Sequence, residues 1–302
     1  MSLKTVSEDG VDIEVATVRK PGSRPVNRVF ILFGEHSREL IGPESGLHFL
    51  RVLCGAAAGD SARNAAETLE DSEYLLVLNG NPRSRKMVEG GSWCTRANPN
   101  GVDLNRNWSE KWRLSSASAA DTYSGPKPFS EPETRIFRKL ATAYKPTTFL
   151  SVHSGTRGLY MPWAFDMVHL AIRNRPSMLQ ILRDLDKDHC QCPYGAAGKE
   201  VGYSSPGTPL DWVYDELKTP YAFAFEIHAA PGDDASLSDW WREKLESGGE
   251  SLLEQGEHLG HPFFLDLFQR HASDFVSTRA SDKAQARDAC FKMFNPTTLD
   301  KY

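Results

Sequence analysis

His36 and Glu39 stand three residues apart in Gly34-Glu35-His36-Ser37-Arg38-Glu39-Leu40, directly behind the apolar run 29–33. An imidazole and a carboxylate so close in sequence converge on one ion if the chain turns after a strand. His153 follows another apolar run, 147–152, and Glu226 follows a further one, 221–225. A catalytic zinc takes three protein ligands and keeps one position for water, so a pair from one turn needs a third donor from elsewhere. Taken singly, each of these residues is an ordinary place for a hydrogen-bonded structural side chain. Their joint position at the ends of apolar runs is what points to chemistry.

The elements that must position them have a clear rhythm. Runs 29–33, 74–78, 147–152 and 221–225 read as buried strands, and helical patterns over 44–54, 133–144 and 176–186 lie between them. Ser130-Glu131-Pro132-Glu133 predicts a capping box with proline in the first turn of the second helix. Alternation of this kind predicts an α/β fold with a mixed, largely parallel, twisted sheet covered by helices on both faces. In such sheets ligands sit beyond the carboxyl ends of the strands, where His36, His153 and Glu226 emerge.

The 302 residues, with 40% hydrophobic and 25% charged side chains, suit one large core, and the chain reads as a single domain. A net charge of -5 gives no attraction to phosphate backbones or anionic membranes, so neither nucleic acid nor membrane is expected as a partner. No run approaches the roughly 20 apolar residues that span a bilayer, and the N-terminus MSLKTVSEDG lacks the apolar core of a signal peptide. Secreted and cytoplasmic locations both stay open. The cysteines, Cys54, Cys94, Cys190, Cys192 and Cys290, are odd in number and show no CxxC spacing for zinc. Disulfides with a free thiol, and reduced thiols throughout, are both compatible with that pattern. Nothing in the sequence speaks to oligomeric state.

From residue 29 to 227, about two thirds of the chain, the ordered motifs resemble the zinc metallocarboxypeptidases of the carboxypeptidase A type. His36-Ser37-Arg38-Glu39 matches that family's paired HxxE ligands, and Val152-His153-Ser154 matches its third ligand at a strand end. Its substrate-binding stretch is matched by Arg96-Ala97-Asn98-Pro99-Asn100-Gly101-Val102-Asp103-Leu104-Asn105-Arg106-Asn107. HxxE alone recurs by chance; the DLNRN that follows it in order is far more specific. Tyr203, followed by Ser204-Ser205-Pro206-Gly207-Thr208-Pro209-Leu210-Asp211-Trp212, resembles the family's mobile tyrosine loop, and Phe225-Glu226 its catalytic glutamate. The tail Cys290-Phe291-Lys292-Met293-Phe294-Asn295-Pro296 extends past that pattern, within a C-terminal extension from about residue 275 of the 1–302 catalytic domain.

The resemblance implies a zinc-dependent hydrolase acting on the C-terminal peptide bond of peptides or proteins. One zinc per chain is implied, held by His36, Glu39 and His153. Glu226 would accept the water proton, and Arg96 would stabilise charge on the carbonyl oxygen. Asn105 and Arg106 would anchor the terminal carboxylate, and Tyr203 would close over the substrate. Asp103 is expected to accept the distal N–H of His36. Leu210 takes the position facing the terminal side chain in the family, which implies a preference for apolar or aromatic termini. Arg38 is expected either to touch substrate or to be a solvated charge. Asn107-Trp108-Ser109 fits the glycosylation pattern but abuts the site, so it is not expected to be used. Two alternatives stand beside this reading: a zinc-dependent deacylase of N-acyl amino acids, and a zinc-containing binding protein without catalysis. The Tyr203 loop weighs against the first and Glu226 against the second.

Overall fold

The computed structural model describes residues 1–56, 58–115, 121–229 and 289–297. Its chain opens with an antiparallel hairpin of β1 (Ser2–Glu8) and β2 (Val11–Val18). The two turn residues, Asp9 and Gly10, have φ of 46° and 76°, the positive pair that a two-residue hairpin turn requires and that Asp-Gly supplies. Then follow β3 (Asn27–Phe33), β4 (Ser72–Val77), β5 (Thr148–His153), β6 (Arg157–Met161), β7 (Tyr194–Ala196) and β8 (Tyr221–Ile227). The helices are α1 (Ile41–Leu53), α2 (Gly59–Asp71), α3 (Pro82–Glu89), α4 (Pro132–Tyr144), α5 (Arg175–Leu185), α6 (Ala197–Val201) and α7 (Pro209–Asp215).

Among the described residues, eight strands form one sheet in the order β1-β2-β4-β3-β5-β8-β6-β7. The inner strands β4, β3, β5 and β8 run parallel, β6 runs antiparallel to β8, and β7 runs parallel to β6. Those inner strands are the four expected from the apolar runs. Alternation on β3 shows why helices cover both faces. Phe30 and Leu32 enter the larger apolar cluster with Ile136, Phe137 and Leu140 of α4, while Ile31 and Phe33 enter a second cluster with Leu50 and Leu53 of α1. Successive side chains point to opposite faces, so a strand apolar throughout needs a cover on each side.

The capping box before α4 does not form. Glu131 is the N-cap and makes no side-chain cap bond, because Ser130 Oγ instead donates to the Glu131 carboxylate at 2.7 Å and sits 2.9 Å from Asn107 Nδ2. Residues 275–288 and 298–302 of the expected C-terminal extension lie outside the described residues; 289–297 pack back onto the rest of the chain. Among the described residues no helix is long and apolar enough to cross a membrane.

Asp211, buried in the first turn of α7, accepts backbone N–H bonds from Ala164 at 2.9 and 3.0 Å and from Phe165 at 3.0 Å. It thereby ties α7 to the loop that follows β6. Asp211→Ala would leave those amides without partners, and is expected to cost about 2–4 kcal/mol of stability in urea unfolding. A change below about 0.5 kcal/mol, the range of neutral surface substitutions, would show that the loop does not depend on it.

Candidate active site

His36 lies in the turn after β3, Glu39 two residues before α1, and His153 is the last residue of β5. Glu226 lies within β8 rather than after it, in parallel register with His153. Side chains paired in this way share a face, so the catalytic candidate and the ligand candidate stand side by side at the sheet's carboxyl edge.

The three ligand candidates are each 3% exposed and converge. His36 Nδ1 is 2.7 Å from Glu39 Oε1, His153 Nδ1 is 3.2 Å from Glu39 Oε2, and the two Nδ1 atoms are 3.2 Å apart. The distal nitrogens have other partners: His36 Nε2 is 3.1 Å from Asp103 Oδ1, and His153 Nε2 is 2.7 Å from Ser151 Oγ. Ser151 Oγ donates to Glu35 Oε2 at 3.0 Å, so it accepts from His153. Assigned from these partners, both rings carry their proton on Nε2. In the neutral rings both Nδ1 lone pairs face the Glu39 carboxylate, an arrangement relieved by a metal cation or, without one, by a proton taken up on His153. Two neutral imidazoles and one carboxylate are the donor set of a catalytic zinc site, and the residues fit that metal.

Electrostatics agree with a site built for positive charge. Burial pushes the Glu39 carboxyl up, but the charges of His36 and His153 and their hydrogen bonds outweigh it and hold it well below the usual range. Asp103 is likewise held low against burial, chiefly by Arg96 and then His36. For His153, burial pulls the ring down, but the bond to Glu39 and its charge raise it to about 9 without a metal. Burial first, and the Glu39 charge second, push Glu226 up to about 7.

Arg96 donates to Asp103 Oδ2 from Nε at 3.1 Å and Nη2 at 2.9 Å, and its Nη1 is 3.8 Å from Glu39 Oε1. Asp103 therefore joins the His36 ring to the Arg96 guanidinium. Asn105 and Arg106 occupy the 3-10 turn Leu104–Arg106 immediately after it, half-buried, and Arg106 Nη2 donates to Ser205 Oγ at 3.1 Å. Tyr203, 37% exposed, lies two residues before that serine. Leu210 is 3% exposed and packs within the larger apolar cluster.

Arg38 is neither solvated nor open. It is 8% exposed, donates to Asp121 Oδ2 at 3.0 Å and to Cys94 O at 3.3 Å, and lies over the Phe294 ring at 4.2 Å. Asn107 is fully buried, its amide donating to Ser124 O and Lys127 O, so it is no glycan acceptor. Sequence reasoning missed Ser151 and Glu35. The signal for Ser151 was present: a residue two before His153 on a strand shares its face. Glu35 had no such signal, since only the fold turns its carboxylate inward.

A family model described as zinc carboxypeptidase matches residues 1–244. The chain belongs to the zinc carboxypeptidase family. Among zinc carboxypeptidases similar to it is carboxypeptidase A6 of Mus musculus, 30% identical over 218 residues, covering 66% of this chain and 48% of that protein. A zinc carboxypeptidase of Simulium vittatum is 28% identical over 243 residues, covering 75% of this chain and 77% of that protein. The chain spans about half the length of the mammalian carboxypeptidases A5 and A6 it matches. The solved carboxypeptidase A of Helicoverpa armigera superposes with a TM-score of 0.63 at 17% identity, over 85% of this chain and 70% of that one, and shows the shared fold.

In a zinc site the carboxylate behind a ligating histidine sets its orientation and basicity. Asp103→Asn is expected to weaken zinc binding about 10- to 100-fold in competition with a chelator. Unchanged affinity in a folded variant would remove Asp103 from the metal site.

Proposed function

We infer that this chain is a zinc-dependent metallocarboxypeptidase that hydrolyses the C-terminal peptide bond of peptides or proteins, with one zinc per chain. The observation that carries the reading is the meeting of the His36 and His153 Nδ1 atoms with the Glu39 carboxylate, with Glu226 in register beside His153. His36, Glu39 and His153 hold the metal. When bound, zinc supplies an acidified water and positive charge for the scissile carbonyl oxygen. Glu226 takes the proton of the attacking water and passes it to the departing amine. Arg96, held by the two bonds it donates to Asp103, stabilises the negative charge that builds on the carbonyl oxygen. The planar fork of Arg106 and the amide of Asn105 anchor the terminal carboxylate, the feature that internal peptide bonds lack. Tyr203, on the exposed loop beside Ser205, closes over the bound chain end. Leu210 brings no charge to the terminal side chain, which supports a preference for apolar or aromatic termini.

The test is release of the last residue from N-blocked dipeptides with phenylalanine, leucine, lysine or glutamate at the end, each compared with its C-terminal amide. Release from the free acids alone, fastest for phenylalanine and leucine, is the expected result. Cleavage of simple N-acyl amino acids in place of dipeptides would make the chain a deacylase. No release by the folded, zinc-loaded protein would leave a zinc-containing binder.

A further inference from the structure

The described C-terminal residues 289–297 lie outside the stretch that the family model matches, yet they reach both loops that carry metal ligands. Asn295 Oδ1 accepts the Ile41 N–H at 3.0 Å, and Asn295 Nδ2 donates to Arg38 O at 2.9 Å. One side-chain amide thus grips the backbone on either side of Glu39. It also serves the start of α1, where Leu40 offers no side-chain cap and the first N–H groups need an acceptor. The neighbouring residue grips the other loop: Phe294 O accepts the Ser154 hydroxyl at 2.7 Å, directly after His153. Its ring fills the space over Gly155, where an added Cβ would stand 2.6 Å from Phe294 Cε1. The Arg38 guanidinium lies over the same ring, 4.2 Å from its centroid. Phe294 and Asn295 are 6% and 1% exposed.

The same segment is tied covalently. Cys290 forms a disulfide with Cys94, 196 residues earlier, and Phe291 packs edge-on against Trp93 at 5.2 Å. The strand of chain so anchored also touches the Glu39 loop, through the Ser37 hydroxyl on Thr95 O at 2.7 Å and the Ser37 N–H on Arg96 O at 3.2 Å. The two ligand loops come from different strands, and Glu39 meets the second of them through the Ser154 N–H at 3.2 Å. A spacing between ligands set by two independent loops is only as fixed as whatever spans them.

We propose that Phe294 and Asn295, anchored by the Cys94–Cys290 disulfide, are positioning residues that strap the Glu39 and His153 loops together and so set how firmly this chain retains its metal. The inference rests on the zinc reading of the site. Its test measures zinc release from the full chain into excess chelator, together with the visible spectrum of the cobalt-substituted protein. Asn295→Ala and the Cys94→Ser/Cys290→Ser double variant are expected to release zinc about tenfold faster or more, the scale on which outer partners of ligands act, and to shift the cobalt bands. Asn295→Asp, which keeps the acceptor for Ile41 but loses the donor to Arg38, is expected to fall between and covers the case in which Asn295→Ala does not fold. Leu182→Ala, a core truncation in α5, serves as a control that lowers stability without touching either loop. Release at the wild-type rate from folded strap variants, or equally fast release from Leu182→Ala, would overturn the strap. A wild type that binds no zinc would overturn the zinc reading itself, a separate and distinguishable failure.

Discussion

Glu226→Gln is expected to lower kcat/KM for release of the C-terminal residue by about 10²- to 10⁴-fold, while zinc stays bound at about one equivalent. That range corresponds to about 3–5.5 kcal/mol of barrier. The reason for separating catalysis from binding lies in the register. Glu226 is opposite His153 on the neighbouring strand, beside the candidate metal ligands. It is nevertheless outside the group of His36, Glu39 and His153 whose donor atoms converge. Glutamine keeps the size and the hydrogen-bonding edge of the side chain but cannot take a proton. The loss should therefore appear mainly in kcat, since a group that acts on the proton in the transition state contributes little to ground-state binding. A variant that loses zinc as well would make Glu226 part of the metal site. One that keeps full activity would leave proton transfer to another group and sink the assignment.

Removal of the metal should have an effect of comparable size on the fold. His153→Ala is expected to bring zinc content down to background and abolish release of the terminal residue. In wild type, stripping the zinc should cost about 4 kcal/mol of stability relative to a solution with free zinc at about 1,000 times its dissociation constant. The melting temperature of wild type should fall with chelator and recover with zinc, whereas that of His153→Ala should respond to neither. The structural cause is the buried meeting of the His36 and His153 Nδ1 atoms, 3.2 Å apart, with the Glu39 carboxylate, three donors that one zinc ion engages at once. Identical melting of wild type with and without chelator would mean that this cluster holds no structural metal.

Local signals decided much of the outcome. Four apolar runs identified the inner strands β3, β4, β5 and β8, because strands buried on both faces are apolar throughout and stand out from their surroundings. The Asp9-Gly10 turn was an equally local sign of the first hairpin, but β1 is an exposed edge strand with little apolar pattern and carried no such contrast. β6 and β7, five and three residues long, are too short to show a period. His36, Glu39, His153 and Glu226 stood out in the sequence because histidines and acidic residues there follow apolar runs, and the sheet brings His36, Glu39 and His153 together with Glu226 in register beside them. Asp103 was legible through its place in a specific motif.

Residue type and short-range order were thus enough for the fold class, for the family to which the chain belongs, and for His36, Glu39 and His153 as a group able to hold a metal. Only the packed fold settled that Arg38 is buried against the Phe294 ring, that Glu35 turns inward to Ser151, that Asn107 is sealed off, and that Cys94 pairs with Cys290. It also decided that Asn295 reaches the peptide groups on either side of Glu39. These are contacts between residues up to 257 positions apart. A buried side chain takes whatever partner the packed backbone brings within hydrogen-bonding distance, and no period or motif along the chain encodes which one that is.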